Sequence, residues 1–346
     1  MGDDQGVLAT DDVRCPKRMT HGPCGGVRAD LSCEMDARPC PFAVENAVVP
    51  WSGPATPTSY PPTSGLLNAI SQGRRVVLTD LTLPPYDAAM VAKLATILGD
   101  SCDALLVGEH QNQPDFPPTL MAQLLIRNGA RPWLTLTCRD RNRVVLEQEL
   151  AGLALAGADG VLCVTGDGRA PGIRPEVTQV FDLDGTRLAA LAASRGLAVA
   201  VPESPDAPPR SVRPARLLEK QRAGAHLAVL NHAGSAREVG AFLAAAAELG
   251  LTIPVLAAVA VYTDARSAQV LAALPGLSLD EDRVERVLHA PDPERAGVES
   301  AVEEALQMLS LDQIAGVNLS GLASERGLEH AAEVKAEVGR RIKAQL

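Results

Sequence analysis

Apolar residues recur along this chain in short, nearly unbroken runs. Longer stretches lie between them, in which apolar positions return every third or fourth residue. The runs are RRVVLTDL (74–81), DALLVGE (103–109), PWLTLTC (132–138), GVLCVTG (160–166), LAVAVPE (197–203), HLAVLNH (226–232), IPVLAAV (253–259) and AGVNLSG (315–321). Runs without polar alternation predict parallel strands buried on both faces. The intervening segments 86–99, 143–157 and 235–250 carry helical periodicity. The last opens with Ser235-x-x-Glu238, a capping-box pattern, and closes at Gly250, a C-cap residue. A further amphipathic segment, 297–310, precedes the eighth run.

Eight strand–helix units in about 280 residues match the ordinary size of a (β/α)8, or TIM, barrel. A doubly wound open sheet shares the alternation. The strand count, and the lack of G-x-G-x-x-G after the first run, favour closure. In a barrel the chemistry gathers where strands end. That directs attention to 80–85, Glu109, His110, 138–142, 165–169, 202–204, Asn231, His232 and Tyr262.

The pattern also divides the chain. Residues 1–42 lack aliphatic runs and hold a cysteine cluster; 43–63 are rich in Pro, Ser and Thr and read as a linker; 64–346 form the barrel. A hydrophobic content of 46% over 346 residues supports a large core. The net charge of −10, unbroken by a basic cluster, argues against nucleic acid or an anionic membrane as partner. No apolar run is long enough to span a bilayer, and the acidic opening is unlike a signal peptide, so the chain is expected to be cytoplasmic.

Of seven cysteines, Cys15, Cys24, Cys33 and Cys40 crowd the N-terminus. In a cytoplasmic protein such density suggests a metal, with four thiolates closing a tetrahedral zinc site. A [4Fe–4S] cluster uses the same number of thiolates, and unligated thiols are the plain alternative. The intervening lengths of eight, eight and six residues differ from paired Cys-x-x-Cys knuckles.

CPKRMTHGPCGGVRADLSCEMD followed by Pro39-Cys40 resembles the cysteine-rich, metal-binding domain found beside methylenetetrahydrofolate reductases, with His21 where Asn is usual. The remainder resembles the reductase barrel itself. The matching pieces are Thr137-Cys138-Arg139-Asp140-Arg141-Asn142, Val164-Thr165-Gly166-Asp167, VFDLD (180–184), Lys220 with 223–225, and Gly316-Val317-Asn318. Together they look like a fusion of the two units. The resemblance implies FAD and NAD(P)H as candidate cofactors, contacted around Thr135, Thr137, Thr165 and Gly166, with Lys220 at a cofactor phosphate. It implies Asn231, in place of a Gln, at the pterin's amide edge. It makes Asp167 the carboxylate that holds a cationic iminium form of the substrate.

Two positions depart from the family. The acid expected three residues before Pro84-Pro85 is Leu81, with Asp80 one residue earlier. Alternation puts Leu81 and Asp80 on opposite faces, so Asp80 is expected to replace the acid only through a bulge. Thr135 stands where the family has His. The plain alternatives are a Gly-Asp-Gly turn for Asp167, a solvated lysine for Lys220, ordinary barrel histidines at His226 and His232, and a salt-bridged turn at Asp140.

The implied activity is reduction of 5,10-methylenetetrahydrofolate to 5-methyltetrahydrofolate by hydride from flavin or NAD(P)H, as a homo-oligomer or with a partner redox subunit. The alternatives are a flavin-free folate enzyme running another one-carbon transfer, and a non-catalytic folate-binding or electron-transfer subunit.

Overall fold

The computed structural model describes residues 15–54, 64–169, 172–273, 277–321 and 323–346. The acidic opening stretch and the end of the linker, 55–63, lie outside them. Each predicted run contains a strand: β1 Val76–Leu81, β2 Ala104–Val107, β3 Pro132–Thr137, β4 Gly160–Val164, β5 Val199–Glu203, β6 Leu227–Leu230, β7 Val255–Val261 and β8 Ile314–Gly321. They pair in sequence order, all parallel, and β8 closes on β1. The fold is therefore a (β/α)8 barrel.

The barrel has two apolar layers because strand residues alternate between its faces. Inward-pointing Val76, Leu78, Leu106, Trp133, Leu162, Ala200, Leu227 and Leu256 fill the lower barrel, and Leu66 plugs them from below. Outward-pointing Val77, Leu81, Leu134, Leu136, Val161, Val199 and Val317 meet the helices. Trp133 is fully buried, and a Cβ on Gly160 would stand 2.5 Å from its ring, so the neighbouring strand needs glycine there. The indole N–H donates to Asp159 Oδ2 at 2.7 Å, which also accepts from Ser64 Oγ at 2.7 Å and ties the bottom helix Gly65–Ser71 to the barrel.

The predicted helices form at Ala88–Leu98, Arg143–Ala156, Ala236–Glu248 and Pro293–Leu309. Ser235 caps its helix by accepting from Glu238 N at 3.3 Å, and its hydroxyl donates to Glu238 Oε2 at 3.1 Å. Gly250 follows at φ +102°. Among the described residues, no helix is long and apolar enough to cross a membrane.

Candidate functional site at the barrel mouth

A cavity of about 390 Å³ opens at the C-terminal ends of the strands, where barrel chemistry gathers. The N-terminal segment roofs it instead of standing apart. Thr20 donates through its backbone N and its hydroxyl to Asp184 Oδ2 at 2.9 and 2.8 Å. Arg216 donates to His21 O at 3.2 Å, and Arg213 to Pro23 O and Cys24 O at 3.3 and 2.9 Å. Gly22, at φ +131°, lies so close to Arg216 that a Cβ would come within 2.4 Å of its Cδ. This docking places Lys17, Met19 and Cys24 in the cavity wall. Sequence reasoning missed this role, because nothing in the segment's composition says which barrel end it covers.

Lys17 is buried and paired with Glu34. Burial disfavours its ammonium, but Cys24, Glu34 and Asp167 outweigh that and raise its pKa. Cys24 donates to Glu34 Oε1 at 3.2 Å, and burial pushes its thiol up to about 12. Cys15, Cys24 and Cys40 pack in one cluster around Met19 and Phe42; burial raises Cys15 and Cys40, and each also feels Cys33. Among the described residues no set of three or more His, Cys, Asp or Glu is placed to hold a metal ion. Of the predicted quartet of Cys15, Cys24, Cys33 and Cys40, Cys24 turns its thiol to Glu34.

Asp80 needs no bulge to reach the cavity. It follows Val76 and Leu78 on the inner face, and β1 pairs with both neighbours in unbroken register. Leu81 packs outward in the main core. The expectation that only an irregularity could bring Asp80 inward is corrected, since inward is its regular direction. Burial raises the Asp80 carboxyl above its ordinary range against the opposing pull of Lys335 and the hydrogen bond from Asn318 Nδ2 at 3.0 Å. Asp167 also lines the cavity. Burial raises its pKa, Glu34 adds to this, and Lys17 and Arg139 oppose it.

Asn231 and Thr135 line the same cavity, Asn231 donating to Ser204 Oγ at 2.7 Å. The remaining predicted cofactor contacts have partners within the protein. Thr137 donates through N and Oγ1 to Glu109 at 3.0 and 2.9 Å. Thr165 Oγ1 accepts from Gly185 N at 2.8 Å and lies 3.5 Å from Met19 Sδ in the roof. Gly166, at φ +90°, packs against Thr137. Lys220 donates to Glu203 Oε2 at 2.7 Å and to Pro202 O. Burial and the nearby Arg216 and Arg213 lower its pKa to about 8 despite Glu203. Burial also opposes the Glu203 charge, yet Lys220, Arg213 and Arg216 hold that carboxyl below its ordinary range. With Lys220 committed to Glu203 and Met19 over Thr165, these residues do not fit a flavin dinucleotide.

Other predicted positions take structural roles. Asp140 pairs with Arg139 at 2.9 Å and Arg169 at 2.7 Å, while Arg141 turns to Glu109 at 2.7 Å. His226, at the barrel bottom, accepts from Val199 N at 3.2 Å. Tyr262 is buried in a separate cluster with Leu271 and Val287.

No family model and no curated protein matches this chain. Among solved structures, one described as an uncharacterized protein from Clostridium thermocellum that binds two copies of 5-methyl-5,6,7,8-tetrahydrofolic acid is similar over 80% of this chain and 99% of its own, with a TM-score of 0.60 at 12% identity. Tryptophan synthase from M. tuberculosis is similar over 81% and 99%, with a TM-score of 0.47 at 15% identity. Oxaloacetate acetylhydrolase is similar over 75% and 81%, with a TM-score of 0.45 at 14% identity. At 12% identity the first likeness is one of fold alone, and the lower-scoring two add nothing to it.

Proposed function

We propose that the barrel mouth binds a reduced folate and acts on its one-carbon unit without a bound flavin. One observation carries this reading: two carboxyl groups, the half-buried Asp80 and the more exposed Asp167, line a single cavity together with the amide of Asn231. A solved barrel of the same fold is described as binding 5-methyl-5,6,7,8-tetrahydrofolic acid, which supports the choice of ligand.

Each side chain then has a task set by its surroundings. Asp167, whose charged form Lys17 and Arg139 favour against burial, faces positive charge developing on the ring as a methylene-bearing nitrogen becomes an iminium. Asp80 keeps its proton to higher pH than an exposed aspartate, which suits the acid that protonates the departing folate nitrogen. Asn231 offers an acceptor and a donor to the pterin. The reaction that uses these groups is reduction of 5,10-methylenetetrahydrofolate by hydride directly from NAD(P)H.

The test is calorimetric titration with 5-methyltetrahydrofolate, followed by assay of 5,10-methylenetetrahydrofolate reduction with NADH and NADPH, with and without FAD. The expected result is binding, and turnover indifferent to FAD. Asp167→Asn should lower turnover by about tenfold or more. Absence of binding by both folates overturns the reading. Turnover that appears only with FAD overturns its flavin-free part.

A further inference from the structure

Among the described residues, three that line the mouth cavity carry a buried side-chain atom with no hydrogen-bond partner: Arg216 Nε, His232 Nδ1 and Asn318 Oδ1. Arg216 lies under the roof, where a Cβ on Gly22 would stand 3.2 Å from that nitrogen. The other two remain for whatever enters the cavity. A buried polar atom without a partner costs about 1–3 kcal/mol, so a fold keeps one chiefly where something else completes it.

Both atoms are held in place from behind. Asn318 Nδ2 donates to Asp80 Oδ1 at 3.0 Å, which sets the amide's orientation and leaves its carbonyl oxygen as an acceptor. His232 Nε2 lies 2.6 Å from Ser320 Oγ. Burial lowers the His232 pKa to about 4, so the ring is neutral. When the Ser320 hydroxyl donates to Nε2, the ring proton sits on Nδ1, which is then a donor. Asn318 and Ser320 are alternate residues on the inner face of β8, about 7 Å apart along the strand. Two lining residues thus carry an unpartnered acceptor, Asn318 Oδ1, and in that tautomer an unpartnered donor, His232 Nδ1. His232 and Asn318 are 3% and 4% exposed, so bulk water does not complete them.

We infer that Asn318 and His232 form the edge that reads the ligand's heterocycle. The Asn318 carbonyl oxygen accepts a ring N–H, and His232 Nδ1 donates to the neighbouring ring carbonyl of an aminopyrimidinone. This edge deepens the folate reading and rests on it, for the pterin is the part of a reduced folate with that chemistry. It adds Asn318, His232 and Ser320 to Asn231 as residues that set specificity, and it places the pterin against β6 and β8.

The experiment compares wild type with His232→Phe, Asn318→Leu and Ser320→Ala, using 5-methyltetrahydrofolate as the titrant and thermal unfolding of the free proteins as the second readout. Phe removes the unsatisfied Nδ1 but also the Nε2 contact with Ser320, so the free His232→Phe protein should unfold close to wild type. Its folate affinity should nevertheless fall on the order of ten- to hundredfold, as should that of Asn318→Leu. Ser320→Ala removes only the group that fixes the ring, and should lose affinity by a smaller factor while remaining folded. A structural role alone would lower the unfolding temperature and leave affinity untouched. Should His232→Phe and Ser320→Ala both bind within twofold of wild type, the inference is wrong while the folate reading stands. Should wild type bind no folate, the folate reading fails and takes this inference with it. If Asn318→Leu does not fold, the other two variants decide.

Discussion

Half-buried Asp80 and buried Glu203 belong to the same mouth, yet their surroundings push the two carboxyl groups in opposite directions. Burial dominates at Asp80 and raises its pKa; three cations overcome burial at Glu203 and lower it. The consequences for stability have opposite signs. A raised carboxyl binds its proton more tightly when folded. Its contribution is complete below the unfolded pKa and is lost as pH rises through the folded one. Asp80→Asn should therefore gain stability relative to wild type as pH rises from acid to neutral, while turnover falls by about 10² to 10⁴. Glu203 contributes above the ordinary carboxylate pKa, and its contribution fades as pH falls through the depressed value. Glu203→Gln should cost about 3–5 kcal/mol at neutral pH and progressively less toward acid. Urea midpoints at several pH values measure both, and parallel pH curves for the two variants would contradict the assignment. The identity of Asp80 as a mouth residue was within reach of the sequence, since i, i+2 alternation from Val76 and Leu78 points it inward. Glu203 stood among the strand-end positions, but its partners Arg213 and Lys220 lie ten and more residues further on. Linear distance conceals such a cluster.

At the scale of elements, the strands were legible because a barrel strand is apolar on both faces, so it stands out against amphipathic helices. The roof was not. Its cysteines suggested a separate metal-bound unit, whereas Thr20, Met19 and Cys24 join the barrel through contacts made at long range in sequence. The element that receives the roof is the helix Gly185–Ser194, whose N-cap Asp184 accepts from Arg187 N at 2.9 Å with one oxygen and from Thr20 with the other. Burial opposes its charge, but Arg187 and Arg216 keep its pKa low. Asp184→Ala removes a cap, typically about 0.5–2 kcal/mol, and strands two buried donors of Thr20 at about 1–3 kcal/mol each. Thr20→Val removes only the hydroxyl and should cost less. Limited proteolysis should cleave the roof of Asp184→Ala faster than that of Thr20→Val, and both faster than wild type. Equal cleavage rates in all three would mean that this contact does not hold the roof.

At the scale of the whole molecule, one side chain joins the parts that composition had separated. Arg213, 1% exposed, donates Nε–H to Ala207 O at 2.8 Å in the loop after β5. Its Nη atoms reach Pro23 O at 3.3 Å and Cys24 O at 2.9 Å in the roof, and Pro208 O. It stands 3.5 Å from Glu203 Oε1 at the end of β5. Only a guanidinium carries five donors in a fixed plane, so lysine cannot satisfy this set of acceptors. Arg213→Lys should therefore behave nearly as badly as Arg213→Met. Either change leaves roof carbonyls unpaired and Glu203 with less opposing charge, a loss of about 3–5 kcal/mol by the usual cost of breaking a buried ion pair. Because the same side chain holds the roof over the cavity, affinity for 5-methyltetrahydrofolate should fall in parallel with stability. The exposed pair of Arg295 with Glu299 at 2.8 Å provides the control, since Arg295→Met removes a comparable charge from a helix surface. The expected pattern across the three variants is a large joint loss of stability and affinity for both Arg213 changes and neither loss for Arg295→Met. An Arg213→Lys protein as stable as wild type would mean that charge alone matters here, and the roof would then be held by Asp184 without help from Arg213.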